Sequence, residues 1–233
     1  MATTSAWLDA LTQERPAIGR SSTADRVADV LRTQITEGAL RPRTRLSEAQ
    51  IGEALGVSRN TLREAFRLLG YERLVVHEFN RGVFVRSLTA ADVRDLYAFR
   101  RVVEVGAVAQ YDVERADLSD VRRAVEDGDR AARDGEWVRL GTADIHFHRA
   151  IAALGGSARV DEAMGQVLAE LRLVFGVMVD PRAFHEPYLP QNREILGLLA
   201  AGERGAAGDA LVGYLDRAER QLLDAFDEGG RGR

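Results

Sequence analysis

The stretch from Leu46 to Arg86, LSEAQIGEALGVSRNTLREAFRLLGYERLVVHEFNRGVFVR, constrains the fold more than any other part of the chain. Two short helical patterns come first, Glu48 to Leu55 and Ser58 to Leu69, joined by Gly56-Val57. Leu46, Ile51, Leu55 and Val57 recur three to four residues apart, and Leu62, Ala65, Phe66 and Leu69 continue the period. Gly56 suits the left-handed position that closes one helix, and Ser58 can cap the next by accepting a backbone N–H. A short break containing glycine between two such helices predicts a helix-turn-helix. Two β-branched runs follow, Leu74-Val75-Val76 and Val83-Phe84-Val85, split by the polar tip Asn80-Arg81-Gly82. They predict a hairpin just after the recognition helix, which is a wing.

The outward face of the second helix carries Ser58, Arg59, Asn60, Thr61 and Arg63 within its first turns. Hydroxyls, an amide and guanidiniums are the groups that bond phosphate oxygens and base edges. The helix N-terminus adds its own N–H donors and partial positive charge. One such residue alone would be an ordinary solvated side chain. Five together, followed by a wing, point to nucleic acid.

At 233 residues the chain allows one large domain or two ordinary ones. It contains no cysteine, which excludes disulfides, thiolate metal sites and cysteine nucleophiles. No apolar run approaches the roughly 20 residues that span a bilayer, and the start lacks a basic region followed by an apolar one. The expectation is a soluble, cytoplasmic protein with no membrane partner. The net charge of −4 hides a split. Residues 20–86 hold 12 Arg against 8 acidic residues (+4), whereas residues 87–233 hold 19 Arg against 26 (−7). A basic module on an acidic body fits DNA binding by one part only.

The expected organisation is mainly α. Residues 1–19 read as a mobile tail, 20–86 as the winged-helix domain, 87–89 as a linker, 90–228 as an antiparallel helical bundle and 229–233 as a closing tail. Thr23 or Asp25 can cap a first helix running to about Glu37, with Val27, Val30, Leu31 and Ile35 inward and Gly38 and Pro42 ending it. Thr89, with Asp92 three residues on, starts the bundle with a capping pattern. Helical periods then mark Leu96 to about Val113, Leu118 to Gly135, Trp137 to Leu154 and Ser157 to Val179. A loop with His185, Pro187 and Pro190 leads to a segment around Ile195 and a last helix holding Leu211, Leu215, Leu222 and Phe226. Six antiparallel helices with short connections make a bundle.

Asp144-Ile145-His146-Phe147-His148 is the stretch in the bundle that could carry chemistry. On a strand, Asp144, His146 and His148 would share a face and read as the metal triad of a hydrolase. Leu140, Phe147, Ile151 and Leu154 keep a helical period instead. On a helix, Asp144 and His148 share a face and His146 turns away to solvent. Burying that Asp and His requires a pairing, a ligand or water. Arg100 falls on an inward face too, where it needs a carboxylate such as Glu104 or an anionic ligand.

The segments RLSEAQIGEALGVSRNTLREAF, LVV and RGVFV resemble the GntR family of bacterial transcription regulators across the whole winged helix. The resemblance implies that Arg59 and Arg63 reach DNA with Ser58, Asn60 and Thr61, and that Arg81 and Gly82 approach the minor groove. The segment GALRPRTRL is similar to the family's link between its first and second helices, where a basic residue meets phosphate, which makes Arg43 and Arg45 candidates. Two positions depart from the pattern: Gly70 replaces a helix-favouring residue, and Arg73 stands where a glycine usually precedes the wing.

Downstream, LYAFRRVVE at 96–104, DIHFH at 144–148 and REILGLLAAGE at 193–203 resemble the FCD effector-binding domain of the FadR subfamily. In many such domains an Asp and a His one turn apart join two further histidines around a divalent metal. The matching positions here are Asp144, His148, Asn192 and Tyr214, so only two of the four are metal ligands and the metal stays open, with the donor set against it. An organic effector bound directly is the other possibility. Arg100 would then clamp the carboxylate of a small organic acid, with Asp144, His148, Asn192 and Tyr214 supplying hydrogen bonds. The combined expectation is a homodimeric regulator, more a repressor than an activator, that binds a palindromic duplex operator and responds to that acid. The rival reading is a metal-dependent hydrolase using Asp144, His146 and His148; no Gly-rich phosphate loop or nucleophile elbow supports other catalysis.

Overall fold

The computed structural model describes residues 22–36, 38–175 and 180–231. The expected N-terminal tail, Glu37 at the end of the first helix and Val179 at the end of the fourth bundle helix lie outside them. The elements run α1 (Thr23–Thr36), β1 (Arg45–Leu46), α2 (Glu48–Leu55), α3 (Arg59–Tyr71), β2 (Val75–Glu78) and β3 (Gly82–Val85). The bundle follows: α4 (Ala90–Arg100), a π-helical turn (Arg101–Val105), α5 (Gly106–Gln110), α6 (Ser119–Arg133), α7 (Trp137–Ala153) and α8 (Ala158–Phe175). It continues through α9 (Pro181–His185), a 3-10 turn (Glu186–Tyr188), α10 (Leu189–Ala200) and α11 (Arg204–Arg231).

Local chemistry sets the helix ends. Ser22, rather than Thr23 or Asp25 alone, starts α1: its hydroxyl accepts from Asp25 N–H, and Asp25 in turn accepts from Ser22 N–H. Gly56 closes α2 at φ 63°, and Ser58 caps α3 by accepting from Thr61 N–H. Thr89 and Asp92 form a reciprocal capping box at α4. Gly70 is absorbed within α3. Arg73 makes the turn expected of a glycine, at φ 59°. Its left-handed backbone lets Leu74 N–H reach the Leu69 carbonyl at 2.9 Å and launch the wing.

In the winged-helix core, Leu62, Ala65, Phe66 and Leu69 of α3 are fully buried beneath Val27, Leu31 and Ile35 of α1 and Leu74, Val75, Val83 and Val85 of the wing. Val30, expected inside, is 46% exposed; α1 needs only a narrow apolar stripe here. A strand the periodicity did not show, β1, joins the wing and makes a sheet of order β1-β3-β2, pairing Arg45 with Phe84 and Leu46 with Val83. Two residues are too few to display alternation, so nothing in the sequence announced it.

The bundle differs from expectation at two places. The stretch around His185 and Pro187 is not a loop but α9 plus a 3-10 turn; Asp180 caps α9 and Pro181 and Pro187 stand at first-turn positions, where a missing N–H costs nothing. The last helix continues to Arg231, inside the stretch expected as a closing tail. Among the described residues, no helix is long and apolar enough to cross a membrane. The winged helix and the bundle are in contact: α1 packs against α8. Arg86, just past β3, pairs with Asp92 at 2.5 Å and with Glu170 of α8 at 2.9 Å.

Candidate nucleic-acid interface and buried polar cluster

The apolar stripe of α3 turns its other face outward, and Arg59, Asn60 and Arg63 stand exposed on it. Among the described residues neither Arg59 nor Arg63 takes part in an ion pair, whereas Arg67 is matched by Glu64 at 2.6 Å. Ser58 and Thr61 are partly committed, since their hydroxyls lie 2.9 Å apart and Ser58 holds the cap. A groove of 540 Å³ runs between α3 and the wing, with Arg63, Arg67, Asn80 and Gly82 on its walls. Three glutamates, Glu48, Glu64 and Glu78, line it as well.

At the wing tip, Asn80 and Gly82 both take positive φ (57° and 106°), which folds the hairpin back within a few residues. Arg81 is exposed, pairs with Glu78 and lies 5.5 Å over the Phe84 ring. The unexpected strand brings Arg45 to this tip: a Cβ built on Gly82 would lie 3.5 Å from Arg45 Nε. Arg43 is placed at the far end of the sheet, donating its N–H to the Val85 carbonyl at 2.9 Å with φ 66°. Phe79, 91% exposed beside the tip, was not singled out by the sequence pattern, because an aromatic next to a hairpin turn is a common core residue.

The second site is closed inside the bundle. Arg100, Asp144, His148, Asn192 and Tyr214 come from α4, α7, α10 and α11, and each is buried. Tyr214 donates its hydroxyl to Asp144 Oδ1 at 2.6 Å, and Asn192 Nδ2 reaches the same oxygen at 3.5 Å. Glu104, in the π-helical turn, accepts from Arg100 Nε at 2.7 Å and from His148 Nδ1 at 2.6 Å. Burial acts to raise the Glu104 carboxyl, but Arg100 and His148 outweigh it and hold the group below its usual range. The same contest holds Asp144 low, with His148, His185, the Tyr214 hydroxyl and Arg100 opposing burial. Burial, reinforced by Asp144, pushes the Tyr214 phenol well above its ordinary value. Arg100 also lies over the Tyr97 ring, 4.7 Å from its centroid.

His185 belongs to this cluster, although its loop-like sequence context gave no hint of it. Its Nδ1 is 4.0 Å from Asp144 Oδ2, and burial pulls the imidazole down to about 4 despite the attraction of Asp144. His148 Nε2 stands 4.0 Å from Asp144 Oδ1. Arg100 Nη2, His148 Nε2, His185 Nδ1 and Asn192 Oδ1 are all buried without a hydrogen-bond partner among the described residues. Such atoms are costly unless something completes them. His146 is exposed on the other face of α7, because helical geometry separates it from Asp144 and His148; the hydrolase triad is therefore not assembled.

The donor set does not fit a tightly held divalent metal. Asn192 and Tyr214, which stand beside Asp144 and donate to it, are neither of them common ligands of a transition metal. Among the described residues, no group of three or more His, Asp or Glu side chains is disposed to hold one.

A winged helix with an outward arginine-bearing recognition helix, set on an all-helical bundle with a buried polar cluster, defines a DNA-binding transcription regulator rather than an enzyme. The family model described as "Bacterial regulatory proteins, gntR family" matches residues 23–85, and that of the FCD domain matches residues 95–217. The chain belongs to the GntR family and carries an FCD domain. It is 52% identical to a transcriptional regulator GntR from Rhodococcus sp. RHA1, whose solved structure it matches with a TM-score of 0.85 over 88% of this chain and 99% of that one. It is 26% identical to the HTH-type transcriptional regulator YdhC of Bacillus subtilis (strain 168) over 85% of this chain and 90% of the relative. The galactonate operon transcriptional repressor of Escherichia coli (strain K12) is 29% identical over 54% of this chain and 64% of its own length.

Proposed function

We propose that the chain is a repressor that binds a palindromic operator as a homodimer and is released by a small organic acid in the bundle. The observation that carries the DNA half is the exposed pair Arg59 and Arg63, without ion-pair partners among the described residues, on a helix anchored by Leu62, Phe66 and Leu69. Ser58, Asn60 and Thr61 accompany them, Arg81, Gly82 and Arg45 form the wing contact, and Arg43 serves a phosphate from the base of the sheet. A single module offers few base contacts; two-fold symmetry doubles them.

The effector half is supported by the unpartnered polar atoms of Arg100, His148 and Asn192 around Asp144 and Tyr214. Arg100 is already held by Glu104 through Nε, so it is its remaining Nη2 that would meet a carboxylate. The Escherichia coli relative is named for the operon of galactonate, a sugar acid, which agrees with a carboxylate effector. Binding that favours one bundle arrangement would change operator affinity by roughly 5–150-fold, for a coupling of about 1–3 kcal/mol.

Selection of duplexes from a random library by the full chain tests the reading. The expected result is an inverted repeat bound by two chains, released by a hydroxy acid such as galactonate and retained with the corresponding neutral sugar. Recovery of random duplexes without a shared motif would overturn it.

A further inference from the structure

Arg172 of α8 lies where the two halves of the molecule meet. It is 5% exposed, although charged side chains are rarely buried so fully. Its Nη2 donates to the Val138 carbonyl of α7 at 3.2 Å. A Cβ built on Gly141, one turn before Asp144, would stand 2.5 Å from Arg172 Nη1 and 2.8 Å from His185 Nε2. Only a glycine there lets the guanidinium and the imidazole lie against the helix backbone. On its other side the same group abuts the DNA-binding domain, where a Cβ built on Gly38 would be 3.1 Å from Arg172 Nη2. Gly38 has φ 79° and closes α1, donating to the Ile35 carbonyl at 3.0 Å.

From Gly38 the connection to the recognition helix is short. Arg32 of α1 makes a two-pronged bond to Glu72, the residue that ends α3, with both contacts at 2.6 Å. In the other direction, Gly141 lies one turn before Asp144 on α7, and His185, which shares the Gly141 approach with Arg172, holds its Nδ1 4.0 Å from Asp144 Oδ2. The guanidinium therefore lies beside two glycines, one in each domain, in the space that a side chain at either position would take.

We propose that Arg172 is the positioning residue that transmits the charge state and occupancy of the Asp144 cluster to the Gly38 turn, and through α1 to α3. A ligand that takes up Asp144 shifts His185 and, through the Gly141 approach that the two side chains share, the guanidinium. The fork fills the space that a side chain at Gly141 or at Gly38 would need, so a shift of the fork at one glycine changes its packing at the other. The regulatory role rests on the effector reading above, whereas the mechanical link does not.

Amide hydrogen exchange on the full chain tests it, with Asp144→Asn as the perturbation so that neither an effector nor an operator is needed. Asp144→Asn should change exchange in the segment from Ile35 to Leu46 by about 5-fold or more, the lower end of ordinary coupling. The same substitution in an Arg172→Met background should leave that segment within twofold of Arg172→Met alone. An equal response in both backgrounds, or none in either, would overturn the proposal. Should Arg172→Met not fold, Arg172→Lys keeps the charge and removes the fork; loss of the response there supports the link, and its survival refutes it. A galactonate titration of the unaltered chain, followed by calorimetry, separately decides whether that acid is a ligand and leaves the exchange result standing.

Discussion

The Tyr214 hydroxyl of α11 donates to Asp144 Oδ1 of α7 at 2.6 Å. The bond gives the carboxylate a donor in place of a cation. It is the shorter of two bonds to that oxygen, since Asn192 Nδ2 stands at 3.5 Å.

Tyr214→Phe should accordingly destabilise the fold by about 1–3 kcal/mol, the cost of leaving a buried acceptor short of its partner. Equilibrium urea unfolding at neutral pH measures it. A change below about 0.5 kcal/mol would mean that Asn192 or water takes over.

His185 makes stability sensitive to mild acid. Its folded value, about 4, lies below the ordinary 6.5, so between these values the unfolded chain binds the proton and the folded one does not. Stability from this group is full above about pH 6.5 and is lost as pH falls towards 4, by on the order of 3 kcal/mol at most. His185→Gln should flatten the pH dependence in that window, as read from unfolding curves collected at pH 4 to 7.

Glu104 and Asp144 act further down. Both are depressed, so their stabilisation is present above the unfolded carboxylate range and is lost as pH falls through their lower folded values. Glu104→Gln should remove part of the acid transition below pH 4 and weaken the fold at pH 7, since Arg100 then loses its buried counter-charge. Circular dichroism during acid titration distinguishes this from the effect of His185.

Arg59→Ala and Arg63→Ala should each weaken operator binding by about 1–3 kcal/mol, roughly 5- to 150-fold, if they read base edges. A phosphate contact would instead lower the salt slope by about one. The melting temperature should stay unchanged, because both side chains are exposed. Fluorescence anisotropy at several salt concentrations tells the two roles apart.

Arg73→Gly should stabilise the protein. A left-handed L-residue costs about 1–2 kcal/mol, and the added chain entropy of glycine returns about 0.5–1, leaving a gain of roughly 0.5–1 kcal/mol. A melting temperature that falls instead would show that the guanidinium, which acts on Glu170 of α8, matters more than the backbone.

Much of the DNA-binding half was legible because its information is local. The Gly56 turn, the Ser58 cap and the period of Leu62, Phe66 and Leu69 each act over a few residues. β1 was not legible, since two residues carry no period and Arg45 owes its place at the wing tip to pairing with Phe84. In the bundle, the spacing of Asp144 and His148 gave one shared helix face. The arrival of His185 and Arg172 beside them depends on how α8 and α9 pack on α7, which no spacing within either segment encodes.

The chain's own order of residues determined which helices form, where they stop and which face of α3 turns to solvent, because caps, turns and amphipathic periods are short-range physics. Only the tertiary structure decided that buried Arg100, His148, His185 and Asn192 keep polar atoms unpartnered among the described residues, and that one arginine lies beside a glycine in each domain. Those relations join segments far apart in sequence, and they exist only once water has been excluded from the space between them.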